Sequence, residues 1–195
     1  MKHHPTQFVS IPRSGHHWLQ RSLSMNLGEE WRYDEWYGSG NSPGLIIGAT
    51  CDAQKSHDLE CETPIPKEPP TVTGLRYVVQ VRFDIDATLK SWTKIGPDSP
   101  NHRSDAWKLR YMLQFMLKWV AGTHGRRDVL VIPYESIITS PRIIVYRVLK
   151  FITYDKDWHI DEVKFEQSTK QLDNSELLAL VRASCLSMYE GGDGI

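Results

Sequence analysis

Residues 11–19 read IPRSGHHWL, and their types suit the capture of a small oxyanion. Arg13 supplies a permanent charge on a planar fork that matches phosphate or sulfate oxygens. Ser14, His16 and His17 add side-chain donors around the flexible joint at Gly15. The segment is not a Walker A loop, because the pattern GxxxxGK[ST] is absent. Two further cationic positions stand out. Arg82 closes the run RYVVQVR (76–82), and the polar stretch QKSHD (54–58) brings Lys55 beside His57. Cys51, His57, Asp58 and Cys61 lie close together in sequence, but their spacings match no standard zinc pattern.

These residues need elements to hold them. QFVSI (7–11) fits a buried strand that ends at Pro12. From Trp18, the apolar positions Trp18, Leu19, Leu23 and Leu27 recur at helical spacing, with Gly28 as the C-terminal cap. The oxyanion loop therefore joins a strand to a helix, where backbone N–H groups and the positive end of the helix dipole favour anions. Residues 31–44 read as an aromatic, glycine-bearing loop, and LIIGAT (45–50) fits a second strand. Four prolines in residues 62–74 predict an irregular surface segment. RYVVQVR is the clearest strand, with the Val-rich centre of a parallel sheet covered on both faces. Asp84 can cap a helix reaching Lys94. A longer amphipathic helix follows from Ser104 or Asp105 to Ala121, with Trp107, Tyr111, Phe115 and Trp119 as its core stripe. DVLVIPY (128–134) is a further strand, and Pro141 opens a helix whose Ile144, Val148, Leu149 and Ile152 face inward. A last helix is expected over 175–189. This alternation predicts a single α/β domain over 1–195, with a mainly parallel sheet flanked by helices and a site at the strands' carboxyl ends.

Composition limits the partners. The 195 residues carry 23 Lys and Arg against 24 Asp and Glu, for a net charge of −1, which excludes a bulk-basic nucleic-acid binder. The charge is unevenly placed: residues 1–28 hold Lys2, Arg13 and Arg21 with no Asp or Glu, and EEWRYDEWY (29–37) is acidic. A cationic first segment in a neutral chain points to a small anion. No apolar run reaches the roughly 18 residues of a membrane span. Three cysteines are too few, and odd in number, for a disulfide framework, so a cytoplasmic setting is expected.

PRSGHHWL resembles the PKSGTTWL or PRSGTTWL loop of sulfotransferases that use 3′-phosphoadenosine 5′-phosphosulfate (PAPS). Arg13, Ser14, Gly15 and Trp18 match position by position, while His16 and His17 stand where that family has two hydroxyl residues. VRFDIDATLKSW (81–92) is similar to the family's strand-Arg-x-x-x-Asp-x-x-x-Ser segment, with Arg82 and Asp86 at the family spacing. The hydroxyl position falls on Lys90, with Ser91 one residue later. QKSHD resembles the family's Lys-Thr-His segment, and residues 129–152 resemble its strand, Tyr-Glu-Asp-Leu, Pro-Arg and helix. The chain departs from the family at its end, where MYEGGDGI lacks the usual basic residues and Trp.

The resemblance implies a three-layer P-loop-like fold with PAPS as cofactor, adenosine 3′,5′-bisphosphate (PAP) as product, and no metal. It implies that residues 13–18 (Arg13, Ser14, Gly15, His16, His17 and Trp18) hold the 5′-phosphosulfate, with Trp18 against the adenine. Arg82 and Ser91, or Lys90, would hold the 3′-phosphate, and Tyr134 would lie near the adenine. His57 is implied as the general base, with Asp58 able to orient its imidazole, and Lys55 and Arg13 as the groups that meet the transferring charge. Glu135 reads as structural. The acceptor is expected to be a small molecule or carbohydrate bearing a hydroxyl or amine. A binding protein that keeps the nucleotide pocket without turnover, and a P-loop-like small-molecule kinase, are the alternatives. The missing Walker Lys speaks against the latter.

Overall fold

The computed structural model describes residues 3–35, 51–58, 61, 68–94, 103–154 and 159–169. The elements are β1 (Thr6–Ser10), α1 (His16–Leu27), β2 (Tyr33–Glu35), β3 (Ala53–Ser56), β4 (Arg76–Val81), α2 (Ile85–Thr93) and α3 (Asp105–Met116), which runs on into a π-helical turn, Leu117–Ala121. After these come β5 (Val129–Pro133), α4 (Tyr134–Thr139), α5 (Pro141–Ile152) and α6 (Glu162–Thr169).

The five strands form one sheet in the order β2-β3-β1-β4-β5, and every neighbouring pair is parallel. Period-2 alternation sorts the side chains into two cores. Phe8 of β1, Val78 of β4 and Ile132 of β5 pack with Leu19 and Leu23 of α1 and with Val145, Val148 and Leu149 of α5. Val9, Tyr77, Val79 and Val81 point the other way, against Trp92 of α2 and Tyr111, Met112, Phe115 and Trp119 of α3 and its π turn. Helices thus cover both faces, as the α/β three-layer expectation requires. The aromatic stripe is core: Tyr111, Phe115 and Trp119 are buried.

Local chemistry sets the helix starts. Asp84 accepts from the Ala87 N–H at 2.8 Å and caps α2, so this carboxylate serves the helix rather than pairing with Arg82. Ser104 caps α3, and Pro141 occupies the first turn of α5.

The structure corrects several expectations. Residues 33–35 are a strand rather than loop, because their backbone pairs in register with β3. Lys55 lies within a strand rather than in a loop following one, since QKS is part of β3. Helix α1 begins at His16, two residues before Trp18. α4 and α6 were not foreseen. The stretch LIIGAT, the helix expected over 175–189 and the glycine-rich end lie outside the described residues. No described helix is long and apolar enough to cross a membrane.

Candidate active site

β1 lies at the centre of the sheet, and the chain leaves it for β2 and β3 on one side before crossing to β4 on the other. This reversal opens a crevice at the carboxyl ends of β1, β3 and β4. A cavity of about 510 Å³ occupies it, lined by residues 10–18, Lys55, His57, Arg82, Ala87, Lys90, Ser91, Lys94 and Tyr134. The residues that the family resemblance assigns to the cofactor and to catalysis border it, whereas Asp58 and Asp86 do not.

The loop after β1 is shaped by two left-handed residues, Arg13 (φ 69°) and Gly15 (φ 76°). For Arg13 this conformation costs on the order of 1–2 kcal/mol, a strain of the kind found at functional sites. A Cβ at Gly15 would stand 3.0 Å from the ring of Tyr134. The loop and Tyr134 can approach this closely only because residue 15 is glycine. Helix α1 starts with no side-chain cap and no acid in its first turn, so its positive end faces the cavity uncompensated.

Hydrogen bonding refines the roles of the loop residues. The Ser14 hydroxyl donates to the Ile11 carbonyl at 2.6 Å, which locks the turn instead of presenting a donor to a ligand. The His16 imidazole is 5% exposed, with both ring nitrogens engaged: Nδ1 lies 2.9 Å from Gln80 Oε1, and Nε2 meets the Tyr33 hydroxyl. This corrects the expectation that its ring binds phosphate. Only its backbone N–H, at the first position of α1, remains for that purpose. Trp18 is mostly core, packed with Leu19 and Leu23, and reaches the cavity along one edge. His17 is exposed at the cavity's border.

Burial pushes the His16 pKa well below its ordinary value, and nearby Lys55 pushes it the same way. In the unfolded chain His16 gains a proton near pH 6.5, whereas in the folded protein it does so only at much lower pH. Unfolding below pH 6.5 therefore takes up a proton. The stability that this histidine contributes is fully present above 6.5 and declines as the pH falls. The limiting slope for one proton is about 1.4 kcal/mol per pH unit. Urea denaturation between pH 5 and 7 should show a shallower acid loss for His16→Asn than for the native chain. His3 and His4, also shifted down by burial, contribute equally to both proteins. Equal slopes would disprove the assignment.

The remaining residues converge from other elements. Arg13 Nε donates to the Ser91 hydroxyl at 3.0 Å, so Ser91, rather than Lys90, is tied to the loop. Arg82 lies over the Tyr134 ring, 4.6 Å from its centroid, with its Nε buried and without a hydrogen-bond partner. Burial raises the Tyr134 pKa, keeping the phenol neutral. Glu135 accepts from the Phe83 and Asp84 N–H groups at 3.0 and 3.2 Å and fastens α4 to the end of β4, a structural role. Lys55 is 3% exposed.

His57 Nδ1 lies 2.8 Å from the Ser10 carbonyl. A carbonyl only accepts, so Nδ1 carries the proton and Nε2 is the basic nitrogen of the neutral ring. The Asp58 carboxylate is not bonded to this imidazole, contrary to expectation. It is buried on the α3 side, 2.8 Å from Lys118 Nζ, and also accepts from Trp119 Nε1. Among the described residues, no group of three or more His, Cys, Asp or Glu is placed to hold a metal ion. Cys51 and Cys61 are buried.

No family model and no curated protein matches the sequence. The structure, however, resembles that of mouse sulfotransferase SULT7A1 complexed with PAP, with a TM-score of 0.55 and 15% sequence identity. The fold is shared with a sulfotransferase. The match covers 89% of this chain and 64% of that one, so the chain spans less than two thirds of its structural neighbour.

Three lining residues escaped the sequence reading. Lys94 caps the C-terminus of α2 one turn beyond Lys90, a spacing that could have flagged it. Ser10 has a buried hydroxyl without a hydrogen-bond partner, and nothing local marks it. Ala87, in the first turns of α2, is equally unmarked.

Proposed function

We propose that the protein transfers a sulfuryl group from PAPS to a hydroxyl or amine of a small-molecule or carbohydrate acceptor. The observation that carries this reading is the convergence of Arg13, Lys55, His57 and Arg82, from three separate strand ends, on one cavity. The orphaned Arg82 Nε and the glycine-dependent loop fit a nucleotide bearing phosphates. The neighbour's bound PAP agrees with that fit.

PAPS supplies an activated sulfur whose bond to the bridging phosphate oxygen is broken in the reaction. This chain's residues do the rest. His57 Nε2 takes the acceptor's proton as its oxygen or nitrogen attacks sulfur, while Nδ1 stays hydrogen-bonded to Ser10. Arg13 and Lys55 offset the charge on the transferring group and on the departing PAP. Arg82 and Ser91 hold the 3′-phosphate, which separates PAPS from ATP. Trp18 and Tyr134 border the adenine. Ser14 and Gly15 shape the loop, and the His16 and His17 backbone completes it. Such a protein would work in the cytoplasm, without nucleic acid or membrane partners.

A non-catalytic nucleotide-binding protein is the second reading. The His16 ring favours it, since it replaces a hydroxyl of the family loop and has both nitrogens engaged by Gln80 and Tyr33. Thermal unfolding with PAP, with ATP and without ligand tests both. PAP at 100 times its Kd should add about 2.7 kcal/mol of stability, with less from ATP. Stabilisation by ATP alone would end the sulfotransferase reading, and binding of PAP without labelled-PAPS transfer to any of an acceptor panel would leave the binding protein.

A further inference from the structure

His57 directly follows β3 and stands beside a residue in the left-handed conformation, Asp58 at φ 49°. Without an anchor, a strand end followed by a strained residue would let the imidazole sample several orientations. Three donors converge on one oxygen, Asp58 Oδ2: Lys118 Nζ at 2.8 Å, the Trp119 indole N–H, and the Cys61 thiol at 3.6 Å. The Tyr111 hydroxyl donates to the carbonyl of His57 itself. Lys118 and Trp119 belong to the π turn at the end of α3, and both are buried. Such turns widen the helix and change the direction of its side chains.

A buried ion pair is weak evidence for stability, because apolar residues of similar volume often serve as well. Its place against the residue that follows His57 gives it another use. We propose that Tyr111, Asp58, Lys118 and Trp119 form a clamp that positions His57, holding Nδ1 on the Ser10 carbonyl and so directing Nε2 into the cavity. They are positioning residues, acting through His57 without touching the reacting atoms. The catalytic part of this inference rests on the general-base reading above. The positional part does not.

Nitrogen NMR of the imidazole, on the full chain with and without PAP, reads the tautomer directly. The native protein should show His57 protonated at Nδ1, opposite to the preference of a free histidine side chain. Tyr111→Phe removes one hydroxyl and keeps the ring stacked on Trp107. A second variant, Asp58→Gly with Lys118→Met, removes both buried charges and leaves a residue that accepts φ 49°. Each should shift His57 toward a tautomer mixture. Each should also lower kcat about tenfold to a hundredfold, the scale of a misplaced catalytic group, with KM for PAPS within about twofold. An unchanged tautomer in both variants would overturn the clamp whatever the turnover. If the tautomer shifts while His57→Ala still turns over, the clamp stands and the general-base reading falls.

Discussion

Replacing His57 with alanine is expected to abolish sulfuryl transfer and leave PAP binding intact. The imidazole is set for proton acceptance, because the Ser10 carbonyl holds the proton on Nδ1 and leaves Nε2 basic. Removing a positioned general base costs roughly 10²–10⁴-fold in rate. Neither the loop after β1 nor Arg82 and Ser91 depends on the ring, so the nucleotide should still stabilise the variant as it does the native chain. Single-turnover transfer from labelled PAPS, with calorimetry using PAP, measures the two parts separately. Full turnover in the alanine variant would remove His57 from the mechanism. Loss of PAP binding would show instead that its role lies in building the pocket.

The second large effect is expected at Gly15. Alanine there meets two obstacles at once: a backbone at φ 76° and the Tyr134 ring 3.0 Å from the new methyl group. The ring is not free to withdraw, since Arg82 lies over it and α4 is tied to β4 through Glu135. Left-handed strain costs about 1–2 kcal/mol, and crowding of a packed ring adds a comparable amount. Together these predict a Tm lower by about 4–16 °C for a chain of this size. PAP affinity should fall in parallel, because the displaced loop carries Arg13. Adding Tyr134→Leu should recover the crowding part of the stability loss and leave the backbone part. A Gly15→Ala protein with native Tm and native PAP affinity would contradict the packing.

The sequence carried much of this arrangement, for identifiable reasons. β1 and β4 were readable because strands buried on both faces need continuous apolar runs, as in QFVSI and RYVVQVR, and the half-buried edge strand β5 has a similar run in DVLVIPY. β2 and β3 were not, since YDE and AQKS are short and polar. What makes them strands is their place in the sheet, with Tyr33, Ala53 and Thr6 side by side. α4 was hidden because it follows β5 with no intervening turn. The site cations were legible as charges at strand ends, whereas the roles of Ser14, His16 and Asp58 were not. Each is set by a partner chosen in three dimensions: Ile11 across a turn, Gln80 on another strand, and Lys118 some sixty residues away.

The central position of β1 also bears on how the chain is made. Its neighbours in the sheet are β3 and β4, so this strand is made before either partner and has both edges paired only once residues 76–81 have emerged. Pairings at such separation form slowly. During that interval Phe8, Val9 and Ile11 remain incompletely covered, an apolar segment of the kind that aggregates or recruits chaperones. The strand that carries the oxyanion loop is therefore expected to be the growing chain's most vulnerable part, and its yield on the ribosome to depend on how promptly β4 arrives.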